Sequence, residues 1–250
     1  MVVVTRDGCC AVVTIDRPQT RNALDAATMT ALDAAMQQTA EDASVRAVVL
    51  TGAGGAFVSG GDLRELQHKT SRVDAAELSD RGEALCRTIE SLAVPVIAVI
   101  AGPALGGGAE LALACDLRIA EAQATLGFVQ ARMGVTTAWG STARLISCVG
   151  ASRAARLLLL GQTVSASKAH ELSLVDEVVE RGGGLALASA WAAQSASCSQ
   201  AAVAALKGLL VRGRQRIYDD LRPHERAAFI ETWTGSDHLE AVRGHFARRR

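Results

Sequence analysis

The sequence predicts an α/β fold with a helical C-terminal part. Three observations carry this expectation. Short apolar runs alternate with amphipathic stretches through Ala120. Glycine-rich turns follow two of the apolar runs. From Thr142 onward helical patterns dominate. Alternating strands and helices followed by helices alone argue for an α/β layer with helices gathered at its C-terminal side.

Taken in order, Val2 to Val4 and Ala11 to Ile15 are β-rich runs around Asp7-Gly8 and read as a hairpin. Leu24 to Ala40 is amphipathic, with Leu24, Ala31, Leu32, Ala35 and Met36 on one face and Asp25 as its N-cap. Val45 to Thr51 reads as a buried strand. It runs into a glycine-rich loop, Gly52 to Gly61, after which Asp62 caps a helix. Residues 67–80 are polar and mixed, and read as a mobile loop or a loose helix; Ala84 to Leu92 is helical. Val96 to Ala101 is a second buried strand, Gly106 to Gly108 a turn, Ala109 to Ala114 a helix and Leu117 to Ala120 a short strand. Helices are expected over Thr142 to Val149, Ser152 to Leu160 and Ser165 to Leu172. One or two more cover Ala186 to Leu210, another spans Arg222 to Trp233, and a last one starts at Asp237 with Glu240 in capping-box position.

Composition narrows the functional classes. The chain has 250 residues, 49% hydrophobic and only 3% aromatic, so the core is built of Ala, Val, Leu and Ile. The formal net charge of +0 gives no electrostatic case for nucleic acid. The Arg248 to Arg250 end reads as a solvated tail. None of the six cysteines forms a C-x-x-C pair and the five histidines are scattered, which argues against zinc and for buried free thiols in a reducing compartment. The start, M-V-V-V-T-R-D, does not read as a signal peptide. Two prolines and four glycines break the apolar run Leu92 to Ala109, which excludes a membrane span there. A soluble, cytoplasmic protein is expected.

Chemistry is carried by two glycine loops, Thr51 to Leu63 (T-G-A-G-G-A-F-V-S-G-G-D-L) and Ala101 to Glu110 (A-G-P-A-L-G-G-G-A-E). Neither is a dinucleotide fingerprint, since Phe57 stands at the third glycine position, and neither has the G-K-[ST] of a P-loop. Each loop can offer one backbone N–H to a shared oxygen, and Glu110 follows in the first turn of a helix whose positive end faces that oxygen. No G-x-S-x-G elbow supplies a nucleophile, so the chemistry fits enolate stabilisation rather than an acyl-enzyme. A glycine turn that packs a helix on a strand, with Glu110 as a surface acid, accounts for the second stretch equally well. Asp62 reads as a cap or loop staple, Asp116 as a turn former and Cys115 as an inert core thiol. Solvated positions are expected for His68, Lys69 and Arg132.

Over nearly its whole length the chain resembles the crotonase superfamily, also called the enoyl-CoA hydratase/isomerase family. The resemblance rests on R-N-A-L at Arg21 to Leu24, A-F-V-S-G-G-D-L at Ala56 to Leu63, and A-G-P-A-L-G-G-G-A-E-L-A-L-A-C-D at Ala101 to Asp116. The stretches Val164 to Val179 and D-H-L-E-A-V-R-G-H-F at the C-terminal end add to it. It implies a crotonase-like ββα spiral core over residues 1–190 and a C-terminal helical oligomerisation region over 191–250, giving homotrimers or dimers of trimers. It also implies a coenzyme A thioester as substrate, with no metal or other cofactor. Carried over by position, the N–H groups of Gly61 and Gly107 form an oxyanion hole. Glu110 is a catalytic glutamate, and Gly60, Asp62, Leu63 and Arg64 line the acyl-CoA site.

The family's hydratases hold a water between two glutamates. The second should fall in Thr125 to Gly134, where this chain has Gln130. An amide orients a water but is no carboxylic acid. The next segment, Thr136 to Ser141, carries Trp139 where many hydratases have P-G-A-G-G, and Trp139 is either an acyl-pocket wall or core filler. With Phe128, Val129, Met133 and Gly134 it resembles the family's acyl-CoA decarboxylases. Three functions are therefore expected in competition: a hydratase-like lyase, a decarboxylase of a malonyl-type thioester such as ethylmalonyl- or methylmalonyl-CoA, and a non-catalytic acyl-CoA-binding or scaffold subunit.

Overall fold

Strands β1 (Val2–Asp7) and β2 (Cys10–Ile15) form the expected antiparallel hairpin. In the computed structural model, which describes residues 1–247, β2 pairs in parallel with β3 (Ala47–Gly52), which pairs in parallel with β4 (Val96–Ile100). The Arg248 to Arg250 end lies outside the described residues. Next come β6 (Leu117–Glu121) and β9 (Glu177–Val179), both parallel, completing a six-stranded sheet in the order β1-β2-β3-β4-β6-β9. A second sheet is made of β5 (Ala104–Leu105), β7 (Thr125–Gly127) and β8 (Thr163–Ser165).

The chain visits the two sheets alternately and then turns through a helix. After β4 it runs through β5 into α4 (Gly107–Ala114), and after β6 through β7 towards α5 (Ser141–Val149). The single bridge Val58–Ala104 extends the same pattern to the turn that starts at β3. These ββα turns explain why β3 and β4 are apolar without alternation. Val48, Leu50, Ala98 and Ile100 face the main core, while Val49, Ile97 and Val99 face α8 (Gly184–Ala196) through Ala188 and Ala192. The short strands of the second sheet carry too few residues for a period to be read, which is why the sequence did not reveal them.

Most helices fall where the pattern predicts. Asp25 caps α1 (Ala26–Glu41), accepting from the Thr28 N–H at 2.7 Å. Asp62 caps α2 (Leu63–Leu66), accepting from the Arg64 N–H at 3.0 Å. The stretch 67–80, read as loop or loose helix, is a correction. From Arg72 onward it is the first half of a twenty-residue helix, α3 (Arg72–Ser91), opened by a capping box between Ser71 and Asp74. The S-x-x-D signal was in the sequence, but Gly82 interrupts the helical pattern behind it. Beyond α5 lie α6 (Ala151–Leu159) and α7 (Ala166–Glu171), the latter followed by Ser173 at φ 61°, a left-handed position that glycine fills without strain.

The other correction concerns α9 (Gln200–Trp233), which runs unbroken across residues 211–221, where a gap was expected between Ala186 to Leu210 and Arg222 to Trp233, and on through Pro223. Proline cannot donate to the carbonyl four residues back, a loss that usually breaks or kinks a helix. Here α9 is fastened to α3 on both sides of the proline. Tyr218 Oη donates to Glu83 at 2.5 Å, Arg222 pairs with Glu83 and Asp80, and Arg226 donates to Asp80 at 2.6 and 2.7 Å. The last helix, α10 (Ser236–Ala247), follows Gly235 as expected, with Asp237 in its first turn. Position 190 falls inside α8. All six cysteines are free; Cys10, Cys86 and Cys115 are buried, whereas Cys198 is exposed. Among the described residues no helix is long and apolar enough to cross a membrane.

Candidate active site

The two glycine loops meet. Gly60 has φ 104°, a conformation open to glycine, and a side chain there would press on the Leu105 carbonyl at 3.2 Å. A side chain at Gly108 would overlap the Val58 carbonyl at 2.0 Å. Asn22, fully buried and itself at φ 59°, fixes the first loop from behind: its amide donates to the carbonyls of Ala53 and Ala56, both at 2.8 Å. The sequence showed R-N-A-L as a motif but gave no sign of this internal staple. Arg17 adds ion pairs to Asp25 at 2.7 Å and Asp62 at 3.0 Å. The Asp62 carboxylate is thus committed to its cap and to Arg17.

Where the loops abut, a cavity of about 360 Å³ opens. Gly60, Gly61, Asp62, Leu63, Arg64, Gly107, Glu110, Gln130 and Trp139, the whole set named from the sequence, line it. Among the described residues the N–H groups of Gly61 and Gly107 have no acceptor. Gly107 is the first residue of α4, so its amide also lies at the positive end of that helix. Further aromatic residues of the wall, Phe229, Trp233 and Phe246, come from α9 and α10 and were not foreseen. His238 stacks on Trp233 at 4.3 Å and meets the Met133 carbonyl at 2.7 Å through Nδ1, which joins α10 to the turn that carries Gln130.

Glu110 is only 2% exposed, so it is no surface acid. Oε2 accepts from the backbone N–H groups of Trp139 at 2.9 Å and Ala138 at 3.2 Å, and Oε1 accepts from Gln130 Nε2 at 2.6 Å. The Gln130 Oε1 is buried with no partner among the described residues. Burial pushes the Glu110 carboxyl up to about 7, and the nearby Glu225 carboxylate adds to the rise, against the amides that hold it down. It therefore exchanges its proton near neutral pH, where a group that both takes and gives protons works best.

Other positions stand apart from this cavity. Lys69 pairs with Glu65 at 2.6 Å, and Arg132 is exposed on the far side of its turn, against Gly161. Asp116 accepts from the Val96 N–H at 2.8 Å and pairs with the buried Lys207 at 2.7 Å. Cys115 is buried, and burial pushes its thiol up to about 12, which leaves it unreactive. Among the described residues no three His, Cys, Asp or Glu side chains are grouped to hold a metal ion.

The proton affinity of Glu110 has a consequence for stability. Folded, the carboxyl keeps its proton to about pH 7; unfolded, it releases it near 4.5. Between those values the native state binds more protons, so this group's contribution to stability falls as pH rises from 4.5 to 7 and is flat above. Melting temperatures of the wild type and Glu110→Gln across that range check the sign: the difference, wild type minus variant, is expected to decline with pH. A flat difference would show that the carboxyl titrates normally.

Comparison with known proteins accords with this architecture. The enoyl-CoA hydratase/isomerase family matches residues 5–250. A short-chain-enoyl-CoA hydratase of Clostridium acetobutylicum is 34% identical over 100% of this chain and 95% of its own length. An ethylmalonyl-CoA decarboxylase of Danio rerio is 32% identical over 93% of this chain and 78% of its own. Among solved structures, an enoyl-CoA hydratase/isomerase from Mycobacterium paratuberculosis superposes with a TM-score of 0.89 at 26% identity, covering 97% of both chains. An enoyl-CoA hydratase from Mycobacterium avium subsp. paratuberculosis gives 0.87 at 28%, again over 97% of both. With a family match across nearly all its length, two paired glycine loops and a crotonase fold, the chain belongs to the enoyl-CoA hydratase/isomerase family.

Proposed function

We propose that this protein is an acyl-CoA lyase working through a thioester enolate, and that it adds water to, or removes it from, a short enoyl-CoA. The observation that carries the reading is the buried Glu110 carboxyl, fastened on both oxygens, in the same cavity as the unpaired amides of Gly61 and Gly107. The thioester oxygen would lie between those amides. Water held by the free Gln130 Oε1 attacks C3 while its proton passes to Glu110. The double-bond electrons move to the oxygen as enolate, and Glu110 returns the proton to C2. Gln130 orients and Glu110 alone moves protons. The matching C. acetobutylicum relative named as a short-chain-enoyl-CoA hydratase supports the choice. Assembly as a homotrimer or a dimer of trimers is part of the proposal, supported by exposed Leu206, Leu209 and Leu210 on α9.

A second reading is decarboxylation of a malonyl-type thioester. Cleavage of the bond to the carboxylate releases CO2 and leaves its electron pair in the same enolate, whose C2 then takes the proton of neutral Glu110. Gln130 in place of a second acid favours it, as does the 32% identity to an ethylmalonyl-CoA decarboxylase.

Mass spectrometry of products from a mixture of crotonyl-, ethylmalonyl- and methylmalonyl-CoA decides between the two. Gain of water on crotonyl-CoA is expected; loss of CO2 from a malonyl-type thioester would replace hydration by the second reading, and no change in any would favour a binding subunit. In the same assay Gln130→Glu is expected to raise hydration about tenfold or more, by restoring a second acid. No gain would mean that Gln130 does not limit the reaction.

A further inference from the structure

Glycine inside a helix weakens it and calls for a reason. Gly82, buried in the middle of α3, has one: a side chain there would lie 2.1 Å from Cε2 and Nε1 of the Trp139 indole. The far edge of the same indole lies over Gly107, where a side chain would meet its Cη2 at 2.5 Å. Trp139 is therefore seated in a notch made by two bare backbone positions, one on α3 and one at the start of α4. It is 4% exposed and lines the cavity. Ser79, one turn before Gly82, donates to the Ala138 carbonyl at 2.9 Å, and Glu110 accepts from the Trp139 N–H. The main chain that carries the indole thus adjoins the Glu110 carboxyl. Gln19, Arg21 and Arg64, which line the same cavity, are exposed, whereas Trp139 is buried.

We propose that the Trp139 indole, held in the Gly82–Gly107 notch, is the floor of the acyl pocket and sets the acyl length, favouring a short acyl chain over a long one. The inference rests on the acyl-CoA reading above. An acyl tail that continues past C3 meets the edge of the ring, which cannot retreat because α3 stands behind it. Removing the ring bares both glycines and opens an apolar slot between α3 and α4. The backbone N–H of Trp139 is kept in alanine and phenylalanine variants, so the grip on Glu110 survives.

Calorimetric titration with butyryl-CoA and octanoyl-CoA, saturated thioesters with no double bond to hydrate, reads the pocket independently of the reaction. The wild type is expected to bind butyryl-CoA about tenfold or more tightly than octanoyl-CoA. Trp139→Ala is expected to remove or reverse that preference, since added methylenes gain burial. Trp139→Phe, a milder change that keeps a ring in the notch, is expected to lie between them and serves if the alanine variant does not fold. Equal binding of the two thioesters by the wild type, or a preference unchanged in the variants, would overturn the floor while leaving the acyl-CoA reading in place. Binding of neither thioester by the wild type would overturn both.

Discussion

Glu110→Gln is expected to lower kcat/KM on the thioester substrate by about 10²–10⁴-fold, the usual range for losing a positioned acid–base group. The variant isolates chemistry from folding. A glutamine in that place can still accept from the Trp139 and Ala138 N–H groups, and its NH2 can turn towards the Gln130 Oε1, which has no partner among the described residues. The desolvation that pushes the carboxyl to about 7 acts only on its charged form, so the amide should be at least as stable at neutral pH. The expected signature is a large fall in turnover with little change in thioester binding or melting temperature. Turnover within about twofold of the wild type would remove Glu110 from the chemistry, whatever the cavity's shape.

The parts of this site visible in the sequence are those fixed by backbone geometry. Gly60 and Gly108 are bare because the loops approach each other there, Gly106 is held at φ 55°, and glycine is a signal that survives without any knowledge of the partner. Glu110 was visible for a related reason, since a carboxylate one turn into a glycine-opened helix is unusual in an otherwise apolar run. What stayed hidden depends on residues far apart in the chain. Nothing in the local pattern says that Glu225 faces the loop carrying Trp139, or that Gly82 is bare to receive its indole. The same holds for α9. Its sequence reads as separate helices over Ala186 to Leu210 and Arg222 to Trp233, whereas the ion pairs that fasten the continuous helix reach 139 to 146 positions back to α3. Local rules failed where tertiary contacts overrode them, and both places border the cavity.

Glu225→Ala is expected to cause the largest loss of stability, about 2–5 kcal/mol, seen as a fall of about 5–20 °C in melting temperature. Glu225 takes Thr137 Oγ1 at 2.6 Å and the Thr142 N–H at 2.9 Å on one oxygen, and the Gly140 N–H at 2.6 Å on the other. Truncation leaves three donors around a buried site without their acceptor. Those donors belong to the short segment whose Ala138 and Trp139 amides hold Glu110, so the effect should reach catalysis in protein that is still folded. Two changes then act on the Glu110 carboxyl in opposite directions. Loosening the segment weakens the amides that stabilise its charged form. Removing the Glu225 charge and admitting water relieve the two influences that raise its proton affinity, and these are the larger pair. The acid limb of the pH–rate profile, which lies near pH 7 if Glu110 acts as the base, should therefore move to lower pH while kcat falls. A simple loss of packing would lower the melting temperature without moving that limb. A profile that stays in place would confine Glu225 to holding the loop, and a melting temperature within about 2 °C of the wild type would show that the loop stands without it.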